Sequence, residues 1–433
     1  MPEDNKLIPI DYLPTPKMRP FFRGFCGLYD FLSWLGIRAF SVDNSGTRRL
    51  LDKGTELARK VEGKEWDAQG DEIHQLWEDT LASVQESINE RNQNGIARSI
   101  ISNSIKYYLE RRVNVYQYLL DNPGVLEVKV DRPLIVAGFP RTGSTLMHRL
   151  LAEGSNTRAY KYWELLTPTP SPRPTNVSDW RVWKLELFFK SLNLIVPGQR
   201  EAIESFHMAT TTTIEEETVL MWSVGLMNPL TLLHSNASLC EKNVSPSGRS
   251  GSYRFLRRCI QILNANYPQD IQLRLKSPFH TLYLEALLEE FPDAGLITIH
   301  RQPKDVVESW LSFMAQVAVP TFRERSFRME EFCAPQLRFL ENSGKVMAEF
   351  LGTPQKENPV DHLPISFNKF VSDPVHTIES IYEFFDLGPL SPSDQANMKA
   401  FLGKKEAQKT LLPKYKLSEL GITEEELGER FEN

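Results

Sequence analysis

The chain has 433 residues, which is long enough for a large folded core, and its 41% hydrophobic and 24% charged composition is typical of a globular protein. The formal net charge of −6 argues against nucleic acid as the main partner, because proteins that bind a phosphate backbone normally carry a strong basic excess. The four cysteines, Cys26, Cys240, Cys259 and Cys333, include no closely spaced pair. Scattered cysteines are typical of a reducing compartment and predict a cytoplasmic protein without a zinc motif.

The N-terminal segment Pro20–Phe40 is rich in aromatic residues. Arg23, Asp30 and Arg38 interrupt it, so it is too broken by charges to span a bilayer, and we predict no transmembrane segment here. We expect this segment to pack onto the folded domain. Peripheral contact with a membrane stays open as the alternative.

Apolar residues recur at helical spacing from Trp34 to Leu120. Asn122-Pro123-Gly124 is then a strong turn signal. We therefore predict a helical N-terminal extension over residues 1–125, followed by an α/β domain over residues 126–433.

The stretch Pro133–Leu150, PLIVAGFPRTGSTLMHRL, carries the strongest functional signal. The apolar run Leu134–Ala137 predicts a buried strand, a turn with two glycines follows, and helical spacing begins at Leu146. Such a turn points backbone N–H groups and a helix N-terminus at one place, which suits a phosphate. The glycine spacing is that of a nucleotide-triphosphate P-loop, but Ser144 stands at the lysine position and the positive charge lies at Arg141. The loop therefore predicts phosphate binding, but not in the manner of an ATPase.

Further strands are predicted at Gln272–Leu275, Gly295–Ile299 and Leu363–Phe367, each followed by a helical pattern. Strands that alternate with helices predict an α/β fold, a P-loop-like parallel sheet flanked by helices. Ligands of such sheets bind at the carboxyl ends of the strands. Three segments rich in polar and charged side chains begin at these ends: Pro140–Thr145, Lys276–His280 and Arg301–Ser309.

The stretches GFPRTGSTLMHRLL, WELLTPTPSP, LKSPFHTLYLEALLEEFPDA and HRQPKDVVESW resemble, in this order, the motifs of the sulfotransferases that use 3′-phosphoadenosine 5′-phosphosulfate (PAPS). The resemblance covers residues 60–430 and is strongest to the branch with a PRTGTT loop and a helical N-terminal region. It implies transfer of a sulfuryl group from PAPS to a hydroxyl of a small organic acceptor. It also implies in-line transfer with a carboxylate base and no required metal.

By this resemblance, the 5′-phosphosulfate is bound by the loop residues Pro140, Arg141, Thr142, Gly143, Ser144 and Thr145. Arg301 and Ser309 match the residue pair that binds the 3′-phosphate, with the same spacing of eight positions. Each assignment has a structural alternative. Ser144 or Thr145 could cap the following helix, and Arg301 could form an ion pair within the fold.

Sulfuryl transfer needs a base for the proton of the acceptor and a cation for the leaving oxygen. By resemblance, Lys276 matches the lysine with which cytosolic sulfotransferases stabilise the leaving group. Glu164 follows the loop at a distance close to that of the catalytic glutamate in tyrosylprotein sulfotransferases, and we favour it as the base. Its alternative is an ion pair with a basic neighbour such as Lys161. His280 is the rival base, although Pro278 stands where cytosolic sulfotransferases have their histidine; a packed histidine at a helix start is the alternative.

Two other functions fit part of the pattern. A P-loop-like nucleotide kinase or NTPase would need the missing lysine and an acidic magnesium ligand, whereas the strand Gly295–Ile299 leads into His300-Arg301. A non-catalytic nucleotide-binding protein of the same fold would keep the donor site and lack the chemistry. The sequence predicts neither a particular acceptor nor an oligomeric state.

Overall fold

The computed structural model describes residues 17–34, 41–63, 66–90, 93–170, 179–204, 210–226, 246–319, 329–352, 360–404, 415–420 and 422–431. Its N-terminal part consists of the helices α1 (Pro20–Trp34), α2 (Ser45–Glu62), α3 (Trp66–Glu90) and α4 (Gly95–Asp121). Two of these helices have an asparagine N-cap: the Asn44 side chain accepts backbone hydrogen bonds at the start of α2, and the Asn94 side chain accepts one at the start of α4. A 3₁₀ turn at Pro123–Glu127 ends this region. The helical N-terminal region that the sequence predicts is confirmed for these residues.

A parallel sheet follows, and within the described residues it has five strands. They are β1 (Leu134–Ala137), β2 (Thr157–Arg158), β3 (Gln272–Lys276), β4 (Gly295–His300) and β5 (His362–Ser366), in the spatial order β2-β3-β1-β4-β5. Val136 of β1 lies opposite Lys276 of β3 and Ile297 of β4. The chain thus crosses from one side of β1 to the other after β3, and the carboxyl ends beside β1 form the topological switch point. The predicted α/β fold is confirmed.

Helices surround the sheet. They are α5 (Ser144–Leu151), α6 (Tyr162–Leu166), α7 (Trp180–Ile195), α8 (Gln199–Glu204), α9 (Thr218–Met221), α10 (Pro246–Asn264), α11 (Leu284–Glu290), α12 (Pro303–Ala318), α13 (Met329–Gly352), α14 (Phe367–Ser372), α15 (Pro374–Phe384), α16 (Pro392–Leu402) and α17 (Glu424–Phe431). Short 3₁₀ turns lie at Trp222–Val224, Pro278–Tyr283 and Leu417–Leu420. Of the helices in the described part of the chain, none combines the length and the apolar character needed to cross a membrane.

The two faces of β1 point into different hydrophobic clusters. Ile135 and Ala137 belong to the same cluster as side chains of α2, α3 and α4, whereas Leu134 and Val136 belong to the cluster that includes α5, α15 and α16. This alternation follows from the two-residue period of a strand. The N-terminal helices therefore share one hydrophobic core with one face of the sheet. A domain boundary near residue 125 stays a prediction.

Candidate active site

The turn after β1 has the backbone conformation that its glycines allow. The φ angles of Gly138, Arg141 and Gly143 are 107°, 66° and 86°, all in the left-handed range. A side chain at Gly143 would also crowd the ring of Phe367, since a Cβ atom there would lie 3.3 Å from Cε2. Helix α5 begins at Ser144, and no side chain caps it. Its first-turn N–H groups therefore point into the loop, as a phosphate site requires.

Two buried threonines hold this turn in place. The hydroxyl of Thr142 donates a hydrogen bond to the carbonyl of Phe139 at 2.8 Å. The hydroxyl of Thr281 accepts from the N–H of Gly138 at 3.0 Å and donates to the carbonyl of the same residue at 3.1 Å. These hydrogen bonds fix the backbone conformation of the loop, and the Thr142 side chain is turned toward the loop backbone.

Arg141 and Arg301 meet at the ends of the neighbouring strands β1 and β4. Nη1 of Arg301 donates to the carbonyl of Arg141 at 2.9 Å, and Nε of Arg141 donates to the Ser309 hydroxyl on α12 at 3.0 Å. Burial and the positive charge of Arg301 lower the pKa of Arg141 to about 10. The sequence-predicted residues for the two phosphates therefore lie together and contact one another.

The two guanidinium groups are not matched by equivalent carboxylates. Nη2 of Arg141 and Nε of Arg301 are buried, and neither has a hydrogen-bond partner among the described residues. The carboxylate of Asp305 lies 3.5 Å from Nε of Arg301. Buried arginine N–H groups in excess over acids are the donor set that a phosphate oxygen satisfies.

Lys276 is the last residue of β3 and is 1% exposed. Its ammonium group forms an ion pair with Glu216, and its backbone N–H donates a hydrogen bond to the Glu217 carboxylate at 2.9 Å. The hydroxyl of Ser277 donates to the other Glu216 oxygen at 3.1 Å. Glu216 therefore lies directly beside the predicted leaving-group lysine at the carboxyl end of the sheet.

His280 is fully buried, and both of its ring nitrogens have partners. Nε2 lies 2.6 Å from the Glu217 carboxylate, and Nδ1 lies 2.9 Å from the hydroxyl of Tyr253. Burial opposes ionisation of Glu217, but the hydrogen bond and charge of His280 lower the pKa of its carboxyl. Glu217 also accepts a hydrogen bond from the backbone N–H of Lys276, so it joins His280 to Lys276. This geometry is that of a histidine packed at a helix start, which is the alternative to His280 as the catalytic base.

Glu164 is the third residue of α6 and is buried. Its two carboxylate oxygens accept from Nη1 and Nη2 of Arg158, at 3.2 and 2.6 Å. One of these oxygens also accepts a hydrogen bond from the backbone N–H of Lys161 at 2.8 Å. This bond gives a partner to a backbone N–H group at the start of α6. The structure thus gives Glu164 an ion pair, the alternative to the catalytic role, with Arg158 in place of the Lys161 side chain.

A comparison with known families identifies the family of this chain. The model of the sulfotransferase family named Sulfotransfer_3 matches residues 133–391, a range that includes β1, its loop, Lys276 and Arg301. The chain belongs to the sulfotransferase family.

Known sulfotransferases from mycobacteria resemble this one at low sequence identity. The omega-hydroxy-beta-dihydromenaquinone-9 sulfotransferases Stf3 of Mycobacterium bovis and Mycobacterium tuberculosis are each 24% identical over 276 residues, which is 60% of this chain. The match spans 64% of the length of those relatives.

Two solved structures share the fold of this sulfotransferase. Sulfotransferase STF9 from Mycobacterium avium has a TM-score of 0.70 at 22% identity and covers 88% of this chain and 94% of its own. Sulfotransferase STF1 from Mycobacterium tuberculosis H37Rv has a TM-score of 0.68 at 21% identity, with 91% and 99% covered.

The sequence assigned no role to Glu216 or Glu217 of this sulfotransferase, although both belong to the unusual run of three acids Glu215-Glu216-Glu217. Ile214, just before the run, forms an antiparallel bridge with Lys161, and the run contacts Lys276 through Glu216 and Glu217. Among the described residues, no group of three or more His, Cys, Asp or Glu side chains is placed to hold a metal ion.

Proposed function

We propose that this sulfotransferase moves a sulfuryl group from PAPS to a hydroxyl of a small organic acceptor. The observation that supports this most is the contact between Arg141 and Arg301, with buried N–H groups that the fold leaves unused. PAPS carries anionic groups at its 5′ and 3′ positions. In our proposal the loop Pro140–Thr145 binds the 5′-phosphosulfate, and Arg301 with Ser309 binds the 3′-phosphate. The bond from Arg141 to Ser309 then joins the two subsites.

The reaction forms a bond from sulfur to the acceptor oxygen and breaks the bond from sulfur to the 5′-phosphate oxygen. We assign Lys276 to the charge that develops on that leaving oxygen. Its buried ammonium group pairs with Glu216 at the end of β3. In the proposal the Lys276 ammonium group leaves its ion pair with Glu216 and binds the leaving oxygen instead. The carboxylate of Glu216 is then no longer paired with Lys276.

For the base we propose Glu216, with Glu164 as the competing carboxylate. The Glu216 side chain is 19% exposed and that of Glu164 is 9% exposed, so an acceptor reaches Glu216 more easily. Glu216 also lies next to the leaving-group lysine, which in the proposal places its carboxylate close to the reacting groups. His280 then positions Lys276 through Glu217, without accepting a proton itself. A cytoplasmic location stays a prediction; Cys26, Cys259 and Cys333 are free thiols, and Cys240 lies outside the described residues.

The donor is tested by calorimetric titration of the full chain with 3′-phosphoadenosine 5′-phosphate (PAP), PAPS and ATP, without magnesium. We expect PAP and PAPS to bind much more tightly than ATP, because the loop has Arg141 and lacks the lysine of an ATPase loop. Equal affinity for ATP, or binding only with magnesium, would instead support the nucleotide kinase or NTPase. PAP binding without turnover on any hydroxyl compound would support the non-catalytic nucleotide-binding protein.

The 3′-phosphate subsite is tested by Arg301→Ala. We expect it to weaken PAP binding by about 1.5–3 kcal/mol, the range for hydrogen bonds to a charged group. Adenosine 5′-phosphosulfate, which lacks the 3′-phosphate, should bind nearly as before. Arg257→Ala is the matched control, since Arg257 is another partly buried arginine and pairs with Glu290, before the amino end of β4. An equal loss for both ligands would show that Arg301 supports the fold only.

A further inference from the structure

Helix α1 exposes one apolar side of its surface to solvent. Phe21, Phe25 and Leu28 follow one another at spacings of four and three residues, so they form one stripe. They are 79%, 46% and 56% exposed, although such side chains are usually buried. Cys26 and Tyr29 lie on the opposite side and are buried. The packing expected for this aromatic segment therefore holds for one side of α1 only.

Helix α7 exposes a second apolar stripe. Trp180, Trp183, Leu187 and Leu194 lie within a narrow sector of the helix, since each residue turns the helix by about 100°. Trp183 is 65% exposed, and the other three are about half exposed, at 44%, 51% and 54%. Lys184 and Lys190 are exposed as well, and the same geometry places one of them on each side of the stripe.

The two helices are neighbours in the fold. The N–H of Arg19, just before α1, donates to the carbonyl of Ile195 at the end of α7, at 3.0 Å. Elsewhere in the described residues, the exposed large apolar side chains are scattered over separate elements: Tyr267, Leu351, Val371 and Phe384. The exposed apolar surface is thus concentrated on α1 and α7, and a concentration of this kind marks an interaction site.

The charges around these stripes are basic, in a chain whose net charge is −6. Arg19 is exposed just before α1. Near and on α7 the acids pair with other cations of the protein: Asp179 binds Arg181, and Glu186 lies 3.9 Å from Arg200. These two acids therefore do not pair with Arg19, Lys184 or Lys190.

We propose that the exposed faces of α1 and α7, together called the apolar surface, bind an anionic lipid bilayer at the level of its headgroups. Tryptophan and phenylalanine flanked by lysine are the side chains of helices that lie in a membrane interface. The lysine stems run along the apolar side chains and the ammonium groups reach the anionic headgroups. With 15 and 16 residues, both helices are shorter than the ~20 residues of a membrane-spanning helix, so they lie in the surface.

The test is flotation of the full chain with vesicles of phosphatidylcholine, with and without phosphatidylglycerol. We expect binding to the vesicles that contain phosphatidylglycerol, and weaker binding as the salt concentration rises. The double variant Trp183→Ser/Leu187→Ser should reduce the partition coefficient at least about tenfold, because two apolar side chains no longer enter the interface. Phe21→Ser/Phe25→Ser is the second, independent variant on α1. Lys190→Glu should weaken binding to anionic vesicles several-fold and leave binding to phosphatidylcholine alone unchanged.

The matched control is Leu351→Ser/Val371→Ser, which removes exposed apolar side chains outside the apolar surface. It should bind vesicles as the unaltered chain does. PAP affinity and the thermal midpoint of each variant show that the fold is kept, and they do not depend on lipid. Absence of vesicle binding by the unaltered chain would overturn the proposal, as would equal losses in the control. A dimer in sedimentation that Trp183→Ser/Leu187→Ser converts to a monomer, without a change in vesicle binding, would assign the surface to a second copy of the chain.

Discussion

Glu216 and Glu164 differ in their partners, and this difference decides which one is suited to proton transfer. Glu216 contacts Lys276 and Ser277 at the end of β3, whereas Glu164 is held by Arg158 and by the start of α6. Each of the two pairs with a buried cation, so loss of either carboxylate costs stability, because the cation is left without its partner. Only loss of the base also costs turnover. The two roles therefore predict different effects on turnover for the same substitution.

We expect Glu216→Gln to lower turnover about 10²–10⁴-fold, the usual contribution of a general base, with PAP affinity nearly unchanged. The free energy of unfolding should fall as well, because the buried Lys276 loses its ion-pair partner. Glu164→Gln should keep most of the turnover and lower the free energy of unfolding by about 1–3 kcal/mol. The measurements are turnover at saturating PAPS, PAP titration and urea unfolding of each variant. If Glu164→Gln loses turnover while Glu216→Gln keeps it, Glu164 is the base.

The conformation of the turn between β1 and α5 depends on its glycines. Alanine at Gly143 would have to adopt a φ of 86°, with its Cβ atom close to the Phe367 ring. We expect Gly143→Ala to lower the free energy of unfolding by about 1–2 kcal/mol, the cost of a left-handed residue, and to weaken PAP binding. Gly124→Ala is the control, because a Cβ atom there meets nothing within 4 Å. Equal effects of both substitutions on PAP affinity would contradict a special role of the loop conformation.

The elements that carry the sheet could be predicted because buried parallel strands are continuous apolar runs with polar residues at their ends. The sequence predicts β1 with its observed limits and locates β3, β4 and β5 within one residue at each end. The two-residue strand β2 has no such run, since it exists only through its pairing with β3. The position of Glu216 also depends on tertiary contacts: Glu215 donates its N–H to the carbonyl of Tyr160 at 3.0 Å. Spacing along the chain could not reveal this contact, nor the ion pair between Glu164 and Arg158.

Protons affect the stability of the whole molecule through its buried histidines. Burial lowers the pKa of His148 to about 4, with Glu217 raising it and Lys276 lowering it further. Burial and the charge of His300 lower the pKa of His362 to about 4 as well. The unfolded chain, with an ordinary histidine pKa of about 6.5, binds protons that the folded protein does not bind. Each histidine therefore reduces the free energy of unfolding as the pH falls from about 6.5 to about 4.

We expect the free energy of unfolding to fall by up to about 1.4 kcal/mol per pH unit for each of these histidines in that range. His148→Gln keeps a hydrogen-bond donor for the carbonyl of Arg274, which lies 2.9 Å from Nε2, and removes the titrating ring. Urea unfolding at several pH values should show a smaller slope for this variant than for the unaltered chain. Parallel slopes would show that His148 does not contribute to the acid sensitivity.

The N-terminal helices share their core with strands that come much later in the chain. Leu51, Trp77 and Leu109 belong to the same cluster as Leu275 and Leu296. On the ribosome α2–α4 therefore emerge before α10, the later helix that packs against α3, has been made. At the usual synthesis rate of about 5–20 residues per second, this interval is on the order of 10 s. During that time a newborn chain exposes apolar side chains of α3 that the folded protein buries, and such surface is prone to aggregation.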